Sequence, residues 1–417
     1  MWNRRLFLKS SGLALLSFGA GPGFLCRAAL AATQAPRKRV LVALFQRGAM
    51  DGLAAVAPTG GGELTRLRPR LAMSAARAAG AGALVDLGVG FALHPALAPL
   101  EPLFRGGELA VVHAVGSPDP TRSHFEAQDY METATPGRKG TSSGWLNRVC
   151  GELGHDASPF RAVAFGAALP RSLQGAAPAV AVARLEDFAV RLPGAAAATA
   201  TAGRGFESLY AEAAGELLGP TGRETFEAVH RLSAAELARY RPAPGARYPQ
   251  SPLGDALRQI AQLVKGDVGL EVAFCESGGW DTHVAQGTAE GSFARRADEL
   301  ARAIAAFWID LGARREEVVL MTMTEFGRTV RENGSGGTDH GHGSALFLLG
   351  AGVDGGKVHG RFPGLDADAL YEGRDLPVTT DFRAVFGEVA ARHLGVVDTA
   401  ALFPGWSGER VPLFRGV

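Results

Sequence analysis

Short apolar segments alternate with helical patterns along most of the chain. The predicted strands are residues 40–46, 108–115, 161–166, 179–184, 270–276, 317–323 and 345–350. Continuous apolar strands are typical of sheets that are covered on both faces. The predicted helices are residues 95–104, 124–133, 206–240, 252–265, 291–311 and 381–394. This alternation predicts an α/β fold with a mostly parallel central sheet flanked by helices.

The first thirty-one residues are predicted to be an export signal. Arg4 and Arg5 precede a short apolar run rich in glycine, alanine and serine, and Ala29–Ala31 forms an A-x-A-like cleavage site. This order indicates a twin-arginine signal at residues 1–31, so the twin-arginine export machinery is an expected partner. The run is too short and glycine-rich for a span of about 20 residues, so we expect no stable membrane span in the mature chain. The mature protein is therefore expected in the periplasm or outside the cell.

Length, charge and cysteine content restrict the domain organisation and the class of ligand. The chain has 417 residues and a formal net charge of +1, which offers no basic surface for nucleic acid. We predict a single domain at 38–417 with a helical insertion near 206–265, which follows an Ala/Thr/Gly-rich segment at 194–205. Cys150 and Cys275 do not make a zinc–thiolate site, and Cys275 is predicted to be a buried thiol.

Residues that bind metals or attack esters collect at the ends of the predicted strands. In open parallel sheets, ligands bind at the carboxyl ends of the strands. The candidates are Asp51, Arg122, Ser123, Asp281, His283, Glu325, Arg328, Asp339, His340 and His342. Their shared place at strand ends predicts one functional site.

The motif "TDHGHG" is the strongest metal signal. It places Asp339, His340 and His342 within four residues, beside glycines that would allow backbone turns. Such side chains are costly to bury unpaired. Asp281 and His283 of "WDTH" lie two residues apart, so both can reach one ion. Oxygen and imidazole ligands without thiolate suit a divalent metal such as zinc, manganese, magnesium or calcium.

Several candidates also have a structural explanation. Asp51 could be a turn residue. Ser123 and Glu126 form an S-x-x-E capping box, although a hydroxyl at a helix N-terminus is also well placed beside an anion. His94 and His113 are predicted to be hydrogen-bonded structural histidines rather than ligands.

Arginines accompany the candidate ligands at three strand ends. Arg47, Arg122 and Arg328 could each be solvated surface charges. Because arginine matches phosphate and sulfate bidentately, together they indicate an oxyanion ester, either a small molecule or a glycan, as the substrate.

Seven motifs in order resemble one known family. They are "FQRGAMDGL", "LHPALAPL", "RSHFEAQDYME", "GWLNR", "GWDTH", "TEFGRT" and "TDHGHG". From about Val40 to Leu394 the chain resembles the exported bacterial family called domain of unknown function 1501. That family is grouped with the alkaline phosphatase/sulfatase superfamily, whose members hydrolyse phosphate or sulfate esters at one or two metal ions. The resemblance implies an alkaline-phosphatase-like three-layer sandwich with a metal centre at the carboxyl edge of the sheet.

The resemblance also implies roles for individual residues. Asp51 is similar to the superfamily's first-strand ligand, and Ser123 to the nucleophile that starts a helix. Asp281 and His283 are similar to the aspartate–histidine pair that holds one metal.

The other implied ligands depart from the superfamily pattern. Glu325 stands where the superfamily has Asp-His, so that Phe326 replaces a histidine. His340 or His342 is similar to the late histidine ligand. These departures allow a one-metal centre or a centre without turnover.

The sequence thus predicts an exported metal-dependent hydrolase of a phosphate or sulfate ester, with a hydroxyl nucleophile. Ser123 would attack, and Arg122 or Arg328 would stabilise the developing charge. The alternative is a catalytically degenerate periplasmic binding or assembly protein that retains the fold.

Overall fold

The computed structural model describes residues 38–60, 62–73, 82–154, 160–185 and 240–416. The described residues from Arg39 onward belong to one compact unit. The predicted signal at 1–31, the linker at 194–205 and the predicted insertion up to residue 239 lie outside the described residues. Among the described helices, none combines the length and the apolar character needed to cross a membrane.

Twelve strands occur in the described ranges. They are β1 (Val40–Gln46), β2 (Val56–Pro58), β3 (Val85–Asp86), β4 (Phe91–Leu93), β5 (Leu109–Gly116), β6 (Ala162–Phe165), β7 (Val180–Val182), β8 (Val272–Ser277), β9 (Val318–Met323), β10 (Ser344–Gly350), β11 (Val358–His359) and β12 (Thr380–Asp381). The α-helices are α1 (Gly52–Ala55), α2 (Glu63–Leu67), α3 (Glu101–Arg105), α4 (His124–Thr133), α5 (Trp145–Glu152), α6 (Pro252–Lys265), α7 (Ser292–Leu311) and α8 (Phe382–Val389).

The central sheet has the order β11-β5-β10-β9-β1-β8-β6-β7, and β12 also pairs with β5. β1 runs parallel to both β8 and β9, and β6 runs parallel to β7 and β8. β10 is antiparallel to both of its neighbours, β5 and β9. The predicted α/β fold with a mostly parallel sheet is therefore confirmed, with β10 as the strand that runs the other way. β2, β4 and β3 form a separate small antiparallel sheet.

Helices cover both faces of the central sheet, which explains the continuous apolar strands. Val42 and Leu44 of β1 belong to a core with α6 and α7, whereas Phe45 belongs to a second core with α5 and α8. Both cores are closed to solvent, and burying each large apolar side chain contributes about 1.5–3 kcal/mol. Cys150 and Cys275 are buried free thiols, as predicted for Cys275.

Local signals account for the helices that matched prediction. α6 begins after Ser251, whose Oγ accepts from the Gly254 N–H, and Pro252 occupies the first turn. The predicted helix at 95–104 instead has two parts, a 3₁₀ helix at Pro95–Leu100 followed by α3, because Pro99 and Pro102 interrupt the pattern. The helix α5 was not predicted.

The topology brings the candidate residues to one edge. β1, β5, β8 and β9 all point the same way, because β10 is antiparallel to both β5 and β9. The loops after these four strands therefore leave from the same edge of the sheet. Since β10 is reversed, the loop that leads into it starts from that edge as well, which explains why "TDHGHG" precedes a strand rather than following one.

Candidate metal centre

Ligand-type side chains from three separate segments of the chain meet at this edge. His124, Asp281 and His340 each offer a donor atom within 4.8 Å of the others. The Nε2 atoms of His124 and His340 lie 3.5 Å and 3.4 Å from the Asp281 carboxylate. His283 joins them, because its Nε2 is 3.0 Å from Asp281 Oδ1 and 2.8 Å from His340 Nε2.

Each of the three imidazoles is oriented through its other nitrogen. Every Nδ1 faces an oxygen that can only accept: His124 faces Glu325 Oε1 at 2.8 Å, His283 faces Asp339 Oδ1 at 3.0 Å and His340 faces the Arg122 carbonyl at 2.8 Å. In the neutral form of each ring, these hydrogen bonds therefore place the proton on Nδ1 and leave the Nε2 lone pair free to bind a metal. Three lone pairs and one carboxylate thus converge.

The converging donors fit a divalent cation. Two lone pairs 2.8 Å apart repel unless a proton or cation lies between them, and His124 Nε2 is buried without a hydrogen-bond partner among the described residues. Ligand bonds of about 2.0–2.1 Å place donor atoms roughly 2.9–3.4 Å apart around one ion. The contacts to Asp281 fall near this range. A set of imidazoles and one carboxylate suits zinc and also manganese.

Glu325 orients a ligand from outside the donor cluster. Its side chain is fully buried, and Oε1 accepts from Gly48 N at 2.8 Å, His124 Nδ1 at 2.8 Å and Gln128 Nε2 at 2.9 Å. Burial by itself raises the pKa of Glu325, but the hydrogen bonds outweigh it and the pKa lies below the ordinary value. The hydrogen bond to Glu325 in turn raises the pKa of His124. This is the carboxylate–histidine arrangement that supports metal ligands in proteins.

Arg328 orients the carboxylate. It is 1% exposed, and its Nη1 donates to Asp281 Oδ1 at 2.7 Å while Nη2 donates to the Thr338 carbonyl at 2.6 Å. Burial raises the pKa of Asp281, and the contact with Arg328 more than reverses that effect. Arg328 therefore neutralises a ligand from inside the protein.

The glycines of the loops allow close backbone contact. A Cβ on Gly341 would lie 2.4 Å from the Arg328 carbonyl carbon, and one on Gly327 would lie 2.0 Å from the Gly343 oxygen. Gly341 N donates to the Gly327 carbonyl at 2.8 Å, which joins the two ends of the loop between β9 and β10. Close approach, rather than the turns that the sequence suggested, explains these glycines.

Asp51 lies outside the donor cluster. Its carboxylate accepts from Arg68 at 2.7 and 3.1 Å and from Gln286 at 2.8 Å, and it caps α1 through Ala54 N. Burial raises the pKa of Asp51, while the charge of Arg68 is the main effect that brings it below its usual value. The Arg68 guanidinium thus pairs with the Asp51 carboxylate, which the resemblance implied to be a metal ligand.

Two residues of "TDHGHG" also lie away from the donors. Asp339 holds His283 through the contact given above, and His342 packs against Tyr371 with ring centroids 4.5 Å apart. The His342 Nδ1 is 3.5 Å from Asp375 Oδ2. Of the seven predicted ligands, the structure therefore brings Asp281, His283 and His340 together, with Glu325 and Asp339 directly behind the histidines.

His124 is the donor that sequence reasoning did not assign as a ligand, although it lies at a strand end. It follows Ser123 as the first residue of α4, and a histidine in the first turn after a strand end was the available signal. Ser123 is the N-cap residue of α4, but its side chain makes no capping hydrogen bond. The predicted capping box is therefore not formed, and Glu126 instead accepts from Thr121 Oγ1 at 2.8 Å.

His94 and His113 are structural, as predicted. Their Nε2 atoms face the carbonyls of Thr288 at 2.8 Å and Val56 at 3.0 Å. Burial lowers the pKa of His113 to about 4, so the ring is neutral at physiological pH.

Comparison with known proteins decides the family. The model of the family described as "Protein of unknown function (DUF1501)" matches residues 110–403. The chain belongs to this family. Within the DUF1501 match lie all four converging donors, whereas Asp51 precedes it. No curated protein matches the sequence.

Two solved structures resemble the DUF1501 chain weakly. The C-terminal periplasmic domain of EcEptC from Escherichia coli, in complex with Zn, is 10% identical with a TM-score of 0.37, covering 76% of this chain and 73% of that one. The PsFucS1 sulfatase from Pseudoalteromonas sp. is 13% identical with a TM-score of 0.38, covering 92% of this chain and 72% of that one. Likenesses this low do not decide an activity.

Proposed function

We propose that this protein is an exported metal-dependent hydrolase that acts on a phosphate or sulfate ester. One divalent ion would be held by His124, Asp281, His283 and His340. The observation that carries the proposal is the convergence of three Nε2 lone pairs on one carboxylate. When bound, the metal would polarise an ester oxygen and favour ionisation of a hydroxyl or a water.

The proposed nucleophile is Ser123. It directly precedes the donor His124 and lies at the N-terminus of α4. The first N–H groups of a helix have no intrahelical partner and favour an anion beside them. Ser123 Oγ would lose its proton and form the new bond to phosphorus or sulfur as the ester oxygen leaves and takes up a proton, and the α4 N-terminus would stabilise the charge on the transferred group. Water would then cleave the Ser123 ester, which releases phosphate or sulfate and restores the hydroxyl.

The two arginines predicted for catalysis have different positions. Arg328 is buried against Asp281, so it acts as a positioning residue. Arg122 is one-third exposed and precedes Ser123, so it is the accessible guanidinium of the two. In this proposal Arg122 binds the substrate and does not orient the metal.

The test is hydrolysis by the mature protein of a panel of phosphate and sulfate esters, with Ser123→Ala as the comparison. We expect Ser123→Ala to abolish turnover while its metal content equals that of the wild type. Full activity in Ser123→Ala would exclude it as the nucleophile.

Two observations favour a second function, that of a binding or assembly protein without turnover. Arg68 occupies the Asp51 carboxylate. Phe326 packs on His124 and His340 with ring centroids 4.9 and 5.0 Å apart. A metal-loaded protein that hydrolyses no ester of the panel would support this function.

A further inference from the structure

Two arginines share a single buried carboxylate next to the donor cluster. Asp375 Oδ2 accepts from Arg122 Nη2 at 2.7 Å and from Arg374 Nη1 at 3.1 Å. The Asp375 side chain is fully buried, whereas Arg122 and Arg374 are 33% and 39% exposed. One internal anion therefore holds two cations close together at the surface.

Both arginines are also tied to the donor His340. Arg374 Nη2 donates to the His340 carbonyl at 3.0 Å, and the Arg122 carbonyl accepts from His340 Nδ1. The arginine pair thus adjoins the proposed metal site through one shared residue. A group bound by the pair would lie beside the reacting centre rather than on it.

The second negative charge at the arginine pair comes from an exposed residue. Glu372 Oε2 accepts from Arg122 Nη2 at 3.0 Å, and the Glu372 side chain is 56% exposed. Solvent-exposed ion pairs of this kind are weak, so an external anion can displace Glu372. The contact with Glu372 shows that Arg122 can hold a carboxylate at this position.

Arg122 has donors left for such a ligand. Both of its side-chain hydrogen bonds come from Nη2, so Nη1 makes none among the described residues and is the donor group left for a ligand, whereas Nε is buried without a partner. Guanidinium groups bind sulfate, phosphate and carboxylate through paired N–H donors. Displacing Glu372 leaves one excess positive charge on the pair.

We propose that Arg122 and Arg374 form a binding site for a second anionic group of the substrate, a sulfate, phosphate or carboxylate that is not the ester being cleaved. The substrate class would then be a polyanionic ester, such as an ester on an acidic or multiply substituted molecule. Only this substrate assignment rests on the proposed function, because anion binding by the arginine pair does not require the metal.

The experiment is calorimetric titration of the metal-free full chain with sodium sulfate, against sodium chloride at equal ionic strength. We expect saturable sulfate binding by the wild type. Arg122→Gln and Arg374→Gln should each weaken it about tenfold, the loss expected for one charge-assisted contact of about 1.4 kcal/mol. Glu372→Gln should tighten it, a gain that misfolding cannot produce.

A matched control is available at another exposed ion pair. Glu101 accepts from Arg105 Nε at 2.7 Å, with the arginine 55% exposed, so Glu101→Gln should leave sulfate binding unchanged. Wild-type protein that binds no sulfate, or arginine variants that bind as the wild type does, would overturn the proposal. If Glu101→Gln also tightened sulfate binding, the effect of Glu372→Gln would be one of net charge, and it would no longer support the arginine site.

A second arm distinguishes a free ion from a substrate group. If the protein hydrolyses esters, the ratio of kcat/KM for an ester with a second anionic group to that for its uncharged analogue should fall in Arg374→Gln. Sulfate binding without any ester hydrolysis would retain the anion site and reject the proposed function. An unchanged ratio in an active enzyme would reject the substrate assignment.

Discussion

Replacing Glu325 by glutamine tests how the donor cluster is oriented. The change keeps the size of the side chain and an oxygen that can accept from His124, but removes a buried negative charge. A hydrogen bond to a charged group contributes about 1.5–3 kcal/mol, and removing partners of metal-binding histidines lowers metal affinity by about 10–100-fold. Because Glu325 is fully buried, solvent does not screen its charge, and we expect a loss in this range.

The assay is competition with a chelator for zinc, measured from pH 5 to pH 8. Glu325 raises the pKa of His124, so in the wild type protons compete with the metal as the pH falls through that raised value. In Glu325→Gln the pKa of His124 is lower, so the zinc affinity, although weaker at pH 8, should start to fall with added acid at a lower pH than in the wild type.

Asp339→Asn is the matched control. Asp339 holds His283 as Glu325 holds His124, but its side chain is 51% exposed, so solvent weakens the charge and the loss should be smaller. Unchanged zinc affinity in Glu325→Gln, or an equal loss in Asp339→Asn, would refute the role given to the buried carboxylate.

Two further predictions concern stability. Gly341→Ala should lower the free energy of unfolding in urea by several kcal/mol, because its Cβ would lie 2.4 Å from the Arg328 backbone. Gly334 has open space around it, so Gly334→Ala should leave the free energy of unfolding unchanged. Equal losses in the two variants would contradict the close-contact argument. The pKa of His113 is about 4 in the folded protein and 6.5 in the unfolded chain. The unfolded chain therefore binds more protons between these values, and the free energy of unfolding should fall by about 3 kcal/mol as the pH drops from 6.5 toward 4. His113→Gln keeps a donor for the Val56 carbonyl and cannot protonate, so its unfolding free energy should fall less over that pH interval, and an identical fall would refute the assignment.

Local signals made much of the fold predictable. The strand β1 and the helices α4 and α6 have the predicted bounds. In β1 the local signal is a continuous apolar run, and in α6 it is the Ser251 cap followed by Pro252. The direction of β10 was not predicted, since apolar runs do not record the direction of a strand. It depends on how β10 pairs with β5 and β9, which are distant in sequence.

The candidate site was predictable in composition but not in arrangement. Residue type and position at strand ends selected Asp281, His283 and His340. Whether a carboxylate binds a metal or supports a histidine depends on a few ångströms between distant loops, so Glu325 could not be distinguished from a ligand. Asp51 was likewise assigned without knowledge of its partner Arg68, whose pairing depends on tertiary packing.

The most direct test of the proposed metal centre compares two neighbouring histidines. His340 belongs to the donor cluster, whereas His342, two residues on, packs against Tyr371. Metal per chain would be measured by elemental mass spectrometry on mature protein purified without chelator. We predict stoichiometric metal in the wild type and in His342→Ala, and its loss in His340→Ala. A wild type without metal, or equal metal contents in the two variants, would contradict the account.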